Sequence, residues 1–339
     1  MEFEKRLKAL IELGDFVKSG FAKNEFSELF HQAYIHNNWF TEEFCQLSFS
    51  SLVSHYLNED KLNEWLGKYT FSNQANKKRI GLILAGNIPL VGIHDIISVF
   101  ISGHISLLKL SAKDSILTKF FIGKLNEIDS ESTSYFQIDD KLTGLDALIA
   151  TGSDNSARYF EYYFRNCPKI IRKNRTSIAV LSGHETNEDL KLLEKDIFQY
   201  FGLGCRSVSK VFIPVDYDLN TLIEVFEKYR YFIDHNKYYN NYIYHKSIFL
   251  LNLDDHLDNG FLMLKENQSN HSPLAVLFYE RYQNTTELEN RIILSKDHLQ
   301  VVVSKEQLSF PTHTFGSSQT PELWDYADEV DTLNFIHKL

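Results

Sequence analysis

RIGLILAGNIPLVGIHDIISVFISGHISLLKL, residues 79–110, decides the fold. RIGLILA (79–85) is a continuous apolar run, the pattern of a strand buried on both faces. LVGIHDIISVFIS (90–102) has helical spacing and stops at Gly103, a residue suited to a helix C-terminus. ISLLKL (105–110) is a second strand. From Ile80 to Leu108 the only formal charge is Asp95, so membrane insertion has to be weighed. Asn87, Pro89, His94 and four glycines interrupt the stretch, which makes it strand–turn–helix–turn–strand in a core and not a transmembrane span.

The alternation continues outward. AKDSILTKFFIGKLNEI (112–128) reads as a helix, ALIA (147–150) as a strand and DNSARYFEYYF (154–164) as a helix. Strands alternating with helices predict a parallel, doubly wound sheet. A second such layer follows, with strands at 176–181, 208–214, 247–253 and 273–280 and helices at 187–201 and 218–230. Residues 1–75 read as helices, with Phe3, Leu7, Leu10 and Ile11 on one face and further helices near 25–35 and 41–66. The expected division is 1–172 (helical N-terminus plus a cofactor-binding α/β domain), 173–315 (catalytic α/β domain) and 316–339 (C-terminal segment).

Composition narrows the function. The chain has 339 residues, 43% apolar and 24% charged, which is a globular balance with length for about two domains. A net charge of −10 argues against nucleic acid, whose phosphates need clustered Lys and Arg. Cys45, Cys167 and Cys205 are too few and too scattered for a disulfide framework. With no signal-like start in MEFEKRLKALIEL, the expected location is cytoplasmic. The 13 histidines show no metal-binding spacing, and His94 and His104 fit a core.

Several residues have two readings each. Cys205, in FGLGCRSVSK (201–210), has glycine beside it and Arg206 after it, as a nucleophilic thiolate would; a small buried core Cys is the other reading. Asn87 follows the first strand and points from the carboxyl end of the sheet, where it could donate to an oxyanion or cap the next helix. Thr151, Gly152 and Ser153 open a helix, as a phosphate site or an ordinary cap. Lys109 and Lys113 surround Ser111 after the second strand, where they could hold a ribose phosphate or lie on the surface. KYYNNYIYHKS (237–247) suits a groove lining or an exposed edge. No GxGxxG is present.

Taken together, LAGNIPLVGIHDIISVFISGHISLLKLSAKDS (84–115), ATGSDNSARYFEYYF (150–164), RKNRTSIAVLSG (172–183), FGLGCRSVSKVFIPVDYD (201–218) and LWDYADEVDTLNF (323–335) resemble the aldehyde dehydrogenase superfamily. More narrowly they resemble its LuxC-type acyl-CoA reductases. The resemblance implies Cys205 as nucleophile, Asn87 of an Asn–x–Pro turn as oxyanion donor, Lys109 on the cofactor ribose, and Gly152–Ser153 on its phosphates. Where hydrolytic members carry a general-base glutamate, this chain has Ile171, followed by Arg172 and Lys173. That departure favours CoA over water as the acyl partner, because a thiol needs less activation. Where NAD-preferring members carry a ribose-binding glutamate, it has Ala112, then Lys113, which implies NADPH, with NADH as the alternative.

The implied function is reduction of an acyl-CoA thioester to aldehyde through an acyl-cysteine. The alternatives are a semialdehyde dehydrogenase using an acyl phosphate or small aldehyde, a silent scaffold subunit of an acyl-transfer complex, and a cysteine acyl hydrolase. An acyl-donating protein partner and a homo-oligomer are compatible with the resemblance. Acyl chain length is not legible, since aromatic residues build any core.

Overall fold

A computed structural model describes residues 1–71 and 77–339; the end of the helical stretch read from the sequence, 72–75, lies outside them. The chain forms two compact units, Met1–Asn174 with Thr320–Leu339, and Arg175–Gln319.

The first unit begins with helices α1 (Phe3–Ala22), α2 (Ser27–His36), α3 (Glu42–Ser51) and α4 (Glu59–Leu66). On α1, Leu7, Leu10, Leu13 and Val17 form one buried face at helical spacing. The helix expected over 41–66 is divided. A π-helical turn covers Leu52–Tyr56, and Asn58 restarts the chain by accepting the Lys61 N–H on its side chain.

The sheet layer follows as β1 (Arg79–Ile83), α5 (Ile93–Ile101), β2 (Ile105–Lys109), α6 (Ser115–Ile128), β3 (Phe136–Ile138), β4 (Ala147–Thr151), α7 (Asp154–Tyr163) and β5 (Lys169–Arg172). The order is β3-β2-β1-β4-β5, all parallel, as the alternation predicted. The chain winds outward from β1 and then crosses to its other side, so the switch point lies between β1 and β4. Ile83 is level with Lys109 on one side and Ala150 on the other, which fixes one carboxyl edge. Ile80, Leu82, Leu108 and Ile149 join Phe26, Phe30 and Phe49 of the N-terminal region in a single core.

The second unit runs β6 (Thr176–Val180), α8 (Asn187–Phe198), β7 (Val208–Pro214), α9 (Asn220–Phe226), α10 (Asn236–Asn252), β8 (Leu257–Asp258), β9 (Met263–Glu266), β10 (Val276–Tyr282), α11 (Thr285–Leu294) and β11 (Leu299–Ser304). Its sheet order is β11-β6-β7-β10-β9-β8, parallel except for the β8–β9 pair. The strand expected at 247–253 is instead the end of α10, and KYYNNYIYHKS is the body of that helix. Leu250, Leu251 and Leu253 are exposed there, so an apolar run did not mean a buried strand.

Residues after Thr320 return to the first unit and end in α12 (Thr332–His337). Arg172 makes a two-pronged ion pair with Asp95 (2.6 and 3.0 Å) and donates to Thr332 Oγ1 (3.0 Å), all three buried. Trp65 Nε1 donates to the Tyr326 hydroxyl (2.7 Å), and the Tyr69 hydroxyl donates to Asp331 (2.8 Å). No helix among the described residues is long and apolar enough to cross a membrane.

Candidate active site

Six of the seven residues singled out from the sequence lie along the carboxyl edge of the first unit's sheet. Lys109 ends β2, Ser111 and Lys113 follow it, Asn87 follows β1, and Gly152 and Ser153 follow β4. Asn87 and the Gly152–Ser153 pair therefore flank the switch point, where open α/β sheets bind ligands.

The β1 turn is held closely. Leu84 N–H donates to the Lys109 carbonyl (3.2 Å), continuing the sheet by one residue. At Gly86 a Cβ would sit 2.4 Å from Ser111 Oγ, so only glycine lets the two turns meet. Asn87 is half-buried. Ser48 Oγ of α3 donates to the Pro89 carbonyl (2.9 Å). Leu90 is left-handed (φ 56°), and its N–H donates to Asp114 Oδ2 (2.7 Å). Asp114 is buried, and its Oδ1 has no hydrogen-bond partner among the described residues. Burial pushes its carboxyl up to about 8, against a smaller opposing effect of the Leu90 N–H.

The β2 turn is equally fixed. Ser111 Oγ accepts the Lys113 N–H (3.2 Å), and the Ser111 carbonyl accepts the Asp114 N–H (3.2 Å). His36 Nε2 donates to the Ala112 carbonyl, and Asn37 Nδ2 to the Lys113 carbonyl (3.3 Å). Lys109 and Lys113 are exposed. After β4, the Gly152 N–H bonds the Arg172 carbonyl (3.1 Å), and Ser153 caps α7 by accepting the Ser156 N–H (3.3 Å). Asp154 in the first turn offsets part of the helix field that would attract an anion.

Cys205 is carried by the second unit, in the turn that precedes β7. It is exposed, whereas Cys45 is buried and Cys167 half-buried, so the core-packing reading describes Cys45. Burial pushes the Cys45 thiol up to about 12, followed by the nearby Asp114 charge. Cys205 lies in a tight turn closed by Ser207 N–H on the Gly204 carbonyl (3.0 Å). Ser177 Oγ, fully buried on β6, donates to the Cys205 carbonyl (2.9 Å). Ser207 Oγ accepts both Gly204 N–H (3.2 Å) and Gln319 Nε2 (3.0 Å). Upstream, Tyr200, Phe201 and Gly202 are all left-handed (φ 55°, 56° and 75°), which ends α8 and redirects the chain. Such strain in bulky residues costs about 1–3 kcal/mol each and concentrates at functional sites. Phe201 is held by ring contacts with His235 (4.5 Å) and Phe232 (4.6 Å).

Ile171, the position that the resemblance aligns with the hydrolytic base, lies on β5, and the next side chain, Arg172, pairs with Asp95. Ser48, His36, Asn37, Asp114, Ser177, Ser207 and Gln319 were not read from the sequence. Each acts on a turn distant in sequence or on main-chain atoms, and no local pattern marks it.

A family model described as acyl-CoA reductase (LuxC) matches residues 43–231, a span that includes all seven of the sequence-read site residues. Among solved structures, the NAD+ complex of an aldehyde dehydrogenase from Bacillus cereus superposes with a TM-score of 0.66 at 12% identity, over 91% of this chain and 73% of that one. An oxidoreductase from Marinobacter aquaeolei gives 0.68 at 10% identity, over 95% and 79%. Aldehyde dehydrogenase C from Pseudomonas syringae, in complex with NAD+ and octanal, gives 0.66 at 10% identity, over 93% and 78%. At these identities the likeness shows an aldehyde dehydrogenase-like fold. Among curated protein sequences none matches the chain.

Proposed function

The chain belongs to the acyl-CoA reductase (LuxC) family, and from that premise we propose that it reduces a fatty acyl-CoA to its aldehyde, using NADPH and an acyl-cysteine at Cys205. The observation that carries this reading is the exposed Cys205 on a turn whose main chain is tied down by Ser177 and Ser207. A nucleophile needs an accessible sulfur on a rigid support, and this turn has both.

In this reading the Cys205 thiolate attacks the thioester carbonyl, forming one C–S bond. The resulting oxyanion accepts a hydrogen bond from the Cys205 main-chain N–H, and the family resemblance implies the Asn87 carboxamide as a second donor. One such preorganised donor is worth about 3–4 kcal/mol. CoA departs as its thiolate, leaving the acyl group on Cys205. Water competes poorly, since position 171 offers no base. Lys109, Lys113 and the start of α7 would hold a reduced nicotinamide cofactor, and that group when bound would supply the hydride for reduction of the acyl group to aldehyde. Cys205 then departs as thiolate, ready for another acyl group.

The sheet edge fits that cofactor. Lys109 and Lys113 supply positive charge there, and the start of α7 offers main-chain N–H groups. Lys113 beside Ala112, with no carboxylate at either position, favours a 2′-phosphate. The NAD+ and octanal described for the Pseudomonas syringae relative support a nicotinamide and an aliphatic aldehyde here. An acyl-protein is the alternative donor.

The test is acyl-CoA-dependent oxidation of NADPH and, separately, NADH, with free CoA and aldehyde measured as products. Cys205→Ser should abolish all three signals. Retained turnover in that variant would remove Cys205 from the mechanism. Mass spectrometry of Cys205 after acyl-CoA alone should show an acyl adduct. Absence of oxidation and of adduct would transfer the reading to a scaffold subunit.

A further inference from the structure

The turn that bears Lys113 is gripped from outside the sheet by two consecutive residues of the N-terminal helices. His36, the last residue of α2, donates from Nε2 to the carbonyl of Ala112. Asn37, the residue that ends α2, donates from Nδ2 to the carbonyl of Lys113 (3.3 Å). Asn37 is 6% exposed, while the peptide it holds carries an exposed lysine. From within the turn, Ser111 Oγ accepts the Lys113 N–H (3.2 Å). The Lys113 residue is thus held by its N–H and by its carbonyl. Its ammonium can move only as far as its own side-chain torsions allow.

Helix packing does not require these bonds. The N-terminal helices already share a buried apolar core with α6 through Phe26, Phe30, Phe49 and Phe120. Two adjacent polar side chains aimed at two adjacent carbonyls fix the register of one turn instead. Both lie outside the 43–231 span matched by the family model.

We infer that His36 and Asn37 are specificity-determining positioning residues, which place Lys113 to meet a phosphate on the adenosine ribose of the cofactor. The inference rests on the reading that the β2 edge holds that ribose. It assigns the preference between NADPH and NADH to the N-terminal helices as well as to the sheet.

Binding of two adenosine fragments to the full chain tests it without catalysis. 2′,5′-ADP carries the discriminating phosphate and 5′-AMP lacks it; both are titrated calorimetrically. The unaltered chain should bind 2′,5′-ADP more tightly, and Lys113→Ala should erase that preference. Asn37→Ala and His36→Ala should each weaken 2′,5′-ADP by about 3–10-fold, the worth of one hydrogen bond, and leave 5′-AMP unmoved. His36 is exposed, so His36→Ala carries the test if Asn37→Ala fails to fold.

If both variants match the unaltered chain, or lose both fragments alike, the inference is overturned while the cofactor reading stands on Lys113→Ala. If the unaltered chain and Lys113→Ala bind the two fragments equally, the cofactor reading of this turn fails and takes the inference with it.

Discussion

Asp114 offers a test whose sign is set by linkage. Its carboxyl, buried beneath the Asn87 turn, is pushed from an ordinary 3.8 up to about 8. An unfolded chain releases this proton near 3.8, and the folded unit keeps it until about 8. Between those values the unfolded state binds one proton fewer, so stability is highest in acid and falls as pH rises. The slope is about −1.4 kcal/mol per pH unit, or about 2.7 kcal/mol lost between pH 5 and pH 7 from this group alone. Asp114→Asn removes the slope, because a carboxamide does not ionise. Its oxygen can still accept the Leu90 N–H that Asp114 Oδ2 now accepts. Its amide nitrogen falls where Oδ1 has no partner, a pH-independent cost of about 1–3 kcal/mol. The variant should therefore be less stable in mild acid and gain on the unaltered chain as pH rises. The readout is favourable: Trp39, Trp65 and Trp324 are the only tryptophans, and all belong to the first unit. Urea unfolding followed by tryptophan fluorescence from pH 5 to 7 thus reports that unit. Parallel stability lines for the two proteins would refute the reasoning, since they would mean that Asp114 titrates alike in both states.

Gly86→Ala should lower the same fluorescence-detected stability by about 1–3 kcal/mol, because its Cβ would meet Ser111 Oγ at 2.4 Å. Adding Ser111→Gly should return most of that loss, and simple additivity would contradict the contact. Arg172→Met alone should cost about 3–5 kcal/mol by leaving Asp95 buried and unpaired. The double variant with Asp95→Leu should recover most of it, and a double variant no better than the single would show that the charge was not the cause. Ser177→Ala should slow acyl-CoA reduction about fivefold, one hydrogen bond's worth, with KM unmoved. Unchanged kcat would show that the Cys205 turn does not depend on that hydroxyl.

The sheet of the first unit was legible because its central strands are apolar without interruption: RIGLILA and ISLLKL had little alternative to a doubly covered layer. Edge strands such as β3 and β5 carry half-exposed residues and no periodic pattern, and they were not read. SIFLLNL misled for the opposite reason: its leucines lie on the water side of α10, where apolar character says nothing about pairing. Cys205, Asn87 and the lysines were singled out because they belong to quotable motifs beside strands. Their supports were not, since Ser48 reaches a carbonyl 41 residues away and Asn37 one 76 residues away. Asp114 was quoted within a motif, but nothing in the string shows that its carboxyl is inside.

The interruption of the first unit by the second has a consequence for biosynthesis. Leu323, Leu333 and Ile336 fill the first unit's core, and Thr332 covers the Arg172–Asp95 pair. All four follow the whole of Arg175–Gln319 in the chain. At about 5–20 residues per second, a ribosome spends roughly 7–30 s making that insertion. During that interval the nascent first unit has an unfilled apolar seat and a buried-pair region open to water. The second unit, contiguous in sequence, can complete itself in the meantime. The order of maturation is therefore reversed relative to the order of synthesis: the unit that starts first finishes last.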